Sequence, residues 1–250
     1  MEEYQASSKE TTEDIAKRAK LYLLQSEQAA IKLAYEKAEA AIKITDYSFN
    51  VVYVDEEIEA NIRIGDILLE VNDKSINDMA IYREELEKSE IGDFLNLKLK
   101  RNGKEINTKL EVRNIEGSKL TGISVLPLYE YETDPKIELN FKSNESGSSG
   151  GLMLTLSIYD KLVDKDLTNG LKIVGTGTID FEGNVGEIDG VKYKLMGAVN
   201  EKADLFIVPY GDNYQECLEL KARRGYNIEI IPVKTFEEAL IKLEMLANKK

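Results

Sequence analysis

The sequence predicts an α+β protein with three parts: an N-terminal helical segment, a small β domain and a layered α/β domain. Three observations support this prediction. Apolar residues recur at helical spacing near the start of the chain, alternate with period two through the middle, and then form strands and helices that follow one another to the end. The predicted boundaries are 1–43, 44–115 and 116–250.

The helical segment, from residue 11 to about residue 42, is rich in Ala, Glu, Lys and Leu and predicts one or two helices. In the β domain, β-branched residues predict strands at 50–54, 67–71, 94–99 and 105–112, with a helix at about 77–88. Asn72-Asp73 is a predicted turn. Asn102-Gly103 is expected to close the last two strands into a hairpin, because Asn-Gly tolerates positive φ.

In the α/β domain, strands and helices are likewise predicted from the apolar pattern, and the apolar runs are longer. Its predicted strands cover 122–126, 136–141, 171–179, 205–208 and 228–231. Its predicted helices cover 152–162, 191–202, 214–223 and the residues after 235. Alternation of strands with helices favours a layered sheet.

The composition excludes several classes of function. A formal net charge of -13 disfavours nucleic acid as a partner. The chain contains no histidine, which removes Ser-His-Asp, Cys-His and histidine-ligated zinc chemistry together. The single cysteine, Cys217, cannot form an internal disulfide and is expected to be a buried or half-buried helix residue. We therefore expect no cofactor and no metal, and a hydrolase of this composition needs a base other than imidazole.

No apolar run approaches the roughly 20 residues that cross a bilayer, and the N-terminus lacks the pattern of a secretion signal. We therefore expect the chain as given to be soluble.

A Gly/Ser-rich segment precedes the apolar helix predicted at 152–162. Backbone N–H groups at such a helix start attract negative charge, either a phosphate or the oxyanion of a tetrahedral intermediate. Short Gly/Ser runs are more often flexible linkers, but linkers seldom lie between a strand and an apolar helix inside a domain. If Ser149 in this segment is a nucleophile, the natural base is a lysine made neutral by desolvation. Lys194 lies on a largely apolar helix and fits that role, although a solvated surface lysine is the commoner case.

These residues resemble the Lon-type serine peptidases, and more closely the bacterial proteins in which a PDZ domain precedes a Lon-type catalytic domain. The segment Gly147-Ser148-Ser149-Gly150-Gly151 is similar to the family's Gly-Pro-Ser-Ala-Gly, which implies that Ser149 is the nucleophile. Asp189-Gly190-Val191-Lys192-Tyr193-Lys194 is similar to its Gly-Gly-hydrophobe-x-x-Lys, which implies that Lys194 is the base. The resemblance further implies Thr176 as a supporting hydroxyl that orients the lysine, with Gly150 beside the nucleophile.

Three positions depart from the family pattern. Ser148 replaces the usual proline and is a rival nucleophile, although the register favours Ser149. Gly150 replaces the usual alanine. Asp189 replaces the first glycine, and if it lies close to Lys194 it would hold that amine in its charged form. The departures lead us to expect that activity is reduced or conditional.

The β domain resembles PDZ domains through Ile64-Gly65-Asp66-Ile67-Leu68 and the Arg101-Asn102-Gly103-Lys104 hairpin. The resemblance implies that a loop formed by Tyr47, Ser48, Phe49 and Asn50 receives a chain terminus or an extended segment as an added strand. Relatives of this arrangement usually have an N-terminal membrane anchor and work on the extracytoplasmic face of the membrane. This chain is therefore expected to contact a membrane only through an anchor outside it.

The expected function is that of an endopeptidase acting on flexible peptides or unfolded proteins. Independence from ATP is expected because Gly-x-x-x-x-Gly-Lys-Ser/Thr is absent from the sequence. Two alternatives stay open. A non-catalytic PDZ-like adaptor on a decayed peptidase would not be labelled at Ser149 by an acylating reagent. A small-molecule kinase with a glycine-rich phosphate loop would bind nucleotide. The oligomeric state is not predicted.

Overall fold

A computed structural model of the protein describes residues 10–140, 147–163 and 166–247. The chain forms two compact units. Of the described residues, the sheet unit takes in 10–22 together with Ile44–Glu130, and the layered unit takes in Leu23–Lys43 and those that follow Glu130. Both contain helical and strand residues, which confirms the α+β prediction.

Six helices and thirteen strands lie in the described residues. The helices are α1 Thr12–Lys37, α2 Met79–Lys88, α3 Gly151–Leu162, α4 Val191–Asn200, α5 Asp212–Arg224 and α6 Phe236–Ala247. The strands before α3 are β1 Ala41–Val54, β2 Ile67–Val71, β3 Lys74–Ser75, β4 Phe94–Arg101, β5 Lys104–Glu111, β6 Arg113–Ile115, β7 Ser118–Leu120 and β8 Ile123–Asp134. Those after it are β9 Ile173–Gly175, β10 Thr178–Ile179, β11 Val185–Gly186, β12 Leu205–Pro209 and β13 Glu229–Val233.

The sheet unit is built on a sheet with strand order β5-β4-β2-β1-β8, to which β3 adds beside β2. The predicted Asn-Gly hairpin is confirmed, since Asn102 and Gly103 have φ values of 49° and 79° between β4 and β5. Asp66, fully buried, accepts hydrogen bonds of 2.7 Å from both Nε and Nη2 of Arg101. This bidentate pair fixes the end of the hairpin against the start of β2.

Two strand predictions in the middle of the chain need correction. The strand predicted at 122–126 runs from Ile123 to Asp134 and pairs with β1, and the sheet unit extends to Glu130. Residues 136–140, predicted to start a strand ending at Phe141, form no strand. Ile137 and Leu139 instead pack against the buried cluster around Tyr35, so their alternation reflects burial without a hydrogen-bonded ladder. Phe141 lies outside the described residues.

The layered unit centres on the parallel sheet β13-β12-β9. Every residue of β12 is buried, and its side chains alternate between two apolar clusters. Leu205 and Ile207 pack with residues of α3 and α6, whereas Phe206 and Val208 pack with residues of α4 and α5. Helices therefore cover both faces of the sheet, as expected for buried parallel strands.

No helix in the described ranges is long and apolar enough to cross a membrane. Cys217, the lone cysteine, is buried on α5 as predicted.

Candidate active site

The loop that carries Ser149 ends where α3 begins. Gly150 is the N-cap of α3, with φ −96° and ψ −2°, and it supplies no side-chain cap. The Ser149 carbonyl accepts hydrogen bonds from Gly177 N and from Thr176 Oγ1, each 2.9 Å long. Leu152 N donates in turn to the Gly177 carbonyl at 3.1 Å. The loop is thus tied to the connection between β9 and β10.

Two backbone donors in this loop are uncommitted. Within the described residues, the N–H groups of Ser149 and Gly150 make no hydrogen bond, and Gly150 is exposed. They stand at the N-terminus of a twelve-residue helix, where the helix dipole adds positive potential. This arrangement suits the stabilisation of a developing oxyanion.

Lys194 reaches this loop from the first turns of α4. Its Nζ lies 2.7 Å from Ser149 Oγ and 3.1 Å from Thr176 Oγ1. Thr176 is 1% exposed and Lys194 is half-buried. The structure therefore brings together three residues that the sequence singled out, Ser149, Lys194 and Thr176.

Burial lowers the pKa of Lys194 below its ordinary value, because desolvation penalises the charged ammonium. In the described part of the chain, Lys194 has hydroxyl partners and forms no ion pair. Asp189 is exposed and makes neither a hydrogen bond nor an ion pair with Lys194, and burial is the cause of the lowered pKa of that amine. Lys192 points elsewhere and pairs with Glu216 at 3.3 Å.

The Ser148 side chain makes no hydrogen bond to Lys194 among the described residues. The contact made by Ser148 is through its carbonyl, which accepts from Gly151 N at 3.1 Å and from Ser26 Oγ at 3.3 Å. Of the two adjacent serines, Ser149 is the one whose hydroxyl meets the amine.

Two further residues shape the site without having been predicted. Asn213, 6% exposed, accepts from Ile188 N at 2.8 Å and donates to Ile188 O at 3.0 Å. These two hydrogen bonds to Ile188 hold the loop that leads into α4. Ser26 on α1 is 3% exposed and lies against the nucleophile loop. Neither residue belongs to a local pattern, so nothing in the sequence near them indicates these contacts.

The peptide-receiving loop was predicted at Tyr47, Ser48, Phe49 and Asn50, and the prediction that these residues form a loop is wrong. All four residues lie within β1, and Phe49 and Asn50 are each 5% exposed. β1 lies between β2 and β8 in the strand order, so it is not an edge strand of this sheet. Strand addition in the described sheet requires one of its edges, β5 or β8.

The residues just before β8 are hydrogen-bonded to α2. Tyr82 Oη of α2 and Thr121 Oγ1, just before β8, share a buried hydrogen bond of 2.7 Å. Lys119 Nζ donates to the carbonyls of Glu87 and Ser89 at the end of α2, at 2.8 and 3.1 Å. One face of β8 thus belongs to the core that α2 covers.

No group of three or more Cys, Asp or Glu side chains in the described ranges is arranged to hold a metal ion.

Comparison with known proteins identifies two segments of the chain. Residues 33–112 match the PDZ domain family model, and residues 143–246 match that of the Lon protease (S16) C-terminal proteolytic domain. The chain is also 27% identical over 96 residues to a Lon protease from Xanthomonas oryzae pv. oryzae, a match that covers 38% of this chain and 11% of the relative. The chain thus corresponds to a small part of that relative's length.

Two solved structures from Listeria are similar to about a third of the chain. The PDZ domain of an SdrC-like protein from Listeria monocytogenes has a TM-score of 0.31 and 17% identity, covering 34% of this chain and 93% of that one. The second domain of a listeria protein, determined in solution, has a TM-score of 0.28 and 20% identity, covering 34% and 88%.

Glycine is required at position 151 but not at position 150. A Cβ on Gly151 would lie 2.3 Å from Ser26 Oγ and 2.7 Å from Ile179 Cγ2, whereas one on Gly150 would meet nothing within 4 Å. We expect Gly151→Ala to lower the free energy of unfolding by about 1–3 kcal/mol through overpacking. Gly150→Ala, the matched control, should change it by less than about 0.5 kcal/mol. Urea denaturation of both variants measures this, and equal stabilities would contradict the packing argument.

Proposed function

We propose that this chain, which joins a PDZ domain to a Lon-type proteolytic domain, is an ATP-independent serine endopeptidase with a Ser149–Lys194 dyad. The observation that carries the proposal is the 2.7 Å separation of Lys194 Nζ from Ser149 Oγ at the start of α3. Substrates are flexible peptides or unfolded proteins.

In this mechanism neutral Lys194 takes the proton of Ser149 as its oxygen attacks the scissile carbonyl carbon. The lowered pKa of Lys194 makes the neutral amine accessible at lower pH than for a solvated lysine. Thr176 supports the dyad, because its hydroxyl accepts from Lys194 Nζ and donates to the Ser149 carbonyl. It therefore links the position of the base to that of the nucleophile.

The oxyanion of the tetrahedral intermediate is stabilised by the uncommitted N–H groups of Ser149 and Gly150. As the peptide C–N bond breaks, the Lys194 ammonium gives its proton to the leaving amine, and an acyl ester on Ser149 is left. A water molecule, deprotonated by Lys194, then attacks the ester. Release of the acid returns a proton to Ser149 and neutral Lys194.

The restriction to flexible substrates follows from what the 250 residues contain. They include no Gly-x-x-x-x-Gly-Lys-Ser/Thr phosphate loop, so this chain offers no ATP-driven unfolding of its own. An N-terminal membrane anchor and an extracytoplasmic location stay predictions that come from the family resemblance.

For the PDZ domain, we propose that a substrate segment adds as a strand to the outer edge of β8. Two observations support this edge over β1. β8 ends the strand order, whereas β1 has neighbours on both sides. Thr121 and Lys119, which precede β8, are hydrogen-bonded to α2. Ile123 and Val125 of β8 pack against the cluster that contains Tyr82 of the same helix.

Removing either dyad group should abolish cleavage. We expect Ser149→Ala and Lys194→Ala to lower kcat/KM by roughly 1,000-fold or more while the thermal unfolding midpoint changes little. Lys192→Ala, on the same helix but paired with Glu216, is the matched control and should retain activity. Peptide-library cleavage followed by mass spectrometry measures this. If wild type were neither active nor labelled at Ser149 by a fluorophosphonate, the chain would be a non-catalytic adaptor.

The pH dependence of activity should follow the deprotonation of the Lys194 amine. Lys194 acts only when neutral, so activity should rise with pH through its pKa in the folded protein. Because burial lowers that pKa, the rise should be centred below the ordinary lysine value of about 10.4. The rate at which a fluorophosphonate phosphonylates Ser149, with loss of fluoride, measured from pH 6 to 10, tests this without a substrate. A rate that fell with pH in that interval would exclude Lys194 as the base.

Strand addition should protect backbone amides at one edge of the sheet. We expect a peptide selected from a random library on the Ser149→Ala protein to slow amide hydrogen exchange in residues 123–130, because the added strand bonds the outer N–H groups. The strand at the opposite edge, β5, is the internal control and should be unaffected. Slowed exchange confined to β5 would show that the peptide binds at that edge and would contradict the proposal for β8.

A further inference from the structure

The nucleophile loop is held on one side by a helix that lies mostly outside both family matches. In the sequence, Ser26 of α1 precedes residue 33, where the PDZ match begins, and therefore also precedes the Lon match at 143–246. It belongs to the layered unit with the loop and is 3% exposed. Its hydroxyl donates to the Ser148 carbonyl at 3.3 Å, a contact between residues 122 positions apart.

A peptide unit is planar, so a hydrogen bond to its carbonyl also sets the direction of its N–H. The Ser148 carbonyl shares a peptide plane with the Ser149 N–H, and the Ser149 carbonyl shares the next plane with the Gly150 N–H. Thr176 Oγ1 and Gly177 N fix the second plane, both at 2.9 Å. Ser26 Oγ and Gly151 N fix the first, at 3.3 and 3.1 Å. The two planes that bear the uncommitted N–H donors are therefore each anchored from the side opposite the donor.

The position of Ser26 is set by the packing of α1 and not by the loop itself. Ala29 and Ala30 are fully buried, the first in a cluster with Leu152 and the second in a cluster with Ile158. This seats α1 against α3. Ser26 Oγ occupies the space that a Cβ on residue 151 would fill. The hydroxyl is thus held in place before any substrate binds, which is the condition for a preorganised site.

We propose that Ser26 is a positioning residue of the peptidase, which orients the Ser149 N–H toward the oxyanion through the Ser148 carbonyl. The inference rests on the proposed function and extends the site to a segment outside both matched domains. Ser26 itself touches neither substrate nor the reacting atoms. Its effect belongs to the transition state, because the oxyanion charge that the N–H meets develops only there.

The test compares three variants of the full chain. Ser26→Ala should lower kcat about tenfold with KM nearly unchanged, less than the 10²- to 10³-fold that follows loss of a whole oxyanion donor. Ser26→Cys keeps a similar shape with a weak donor and should fall between wild type and Ser26→Ala. Leu33→Ala removes apolar contacts of α1 with the same cluster but keeps the Ser26 hydroxyl, and should lower the unfolding midpoint at least as much as Ser26→Ala while lowering kcat clearly less.

Two additional readouts separate positioning from stability and from the proposed function. A peptide boronate, which forms a tetrahedral adduct on Ser149, should bind Ser26→Ala about tenfold more weakly than wild type. The amide resonance of Ser149 should shift more in Ser26→Ala than in Leu33→Ala. Wild-type kcat in Ser26→Ala, or kcat lowered equally in Leu33→Ala, would overturn the inference. If the wild-type chain cleaves nothing, the proposed function fails, and an unshifted Ser149 amide in Ser26→Ala would then overturn this inference separately.

Discussion

The layered unit depends on one constraint: an amine must be kept partly out of water beside a hydroxyl, in a chain without imidazole. A carboxylate next to Lys194 would satisfy the amine electrostatically but would hold it charged. Its partners here are the hydroxyls of Ser149 and Thr176, which accept hydrogen bonds without adding negative charge. Among the residues that the structure describes, desolvation therefore lowers the pKa of Lys194 with no counter-ion to oppose it.

Backbone geometry provides the rest of the site. The N–H groups of Gly151 and Leu152 donate to the Ser148 and Gly177 carbonyls, whereas those of Ser149 and Gly150, just ahead of α3, make no hydrogen bond among the described residues. Hydrogen bonds to the Ser148 and Ser149 carbonyls hold those donors in direction. Asn213 helps to position the base Lys194, since it hydrogen-bonds both the N–H and the carbonyl of Ile188 ahead of α4. Nucleophile and base are each positioned by a buried polar side chain from a distant part of the chain.

Local pattern predicted the elements well, and β2 is observed at its predicted residues, 67–71. The three polar groups Ser149, Lys194 and Thr176 were also identifiable, because the family motifs lie on short continuous segments. Contacts between distant segments were not. The alternation in Tyr47–Asn50 does not reveal that β8 covers the other side of β1, and a lone serine on an Ala-rich helix carries no sign of a partner 122 residues away. The apolar alternation at 136–140 was misleading, since burial against a helix and pairing in a sheet impose the same period.

The alternation of β12 has a consequence for how mutations in this protein are interpreted. Leu205 and Ile207 belong to the cluster behind the nucleophile helix, and Phe206 and Val208 to the cluster behind the lysine helix. The five residues of β12 thus contribute to two apolar clusters, one of which supports the nucleophile helix α3 and the other the lysine helix α4. We expect truncation of a side chain on either face to displace one reacting group while the fold persists. In a screen for inactive clones such changes would mimic lesions of the dyad, and only a stability assay would tell them apart.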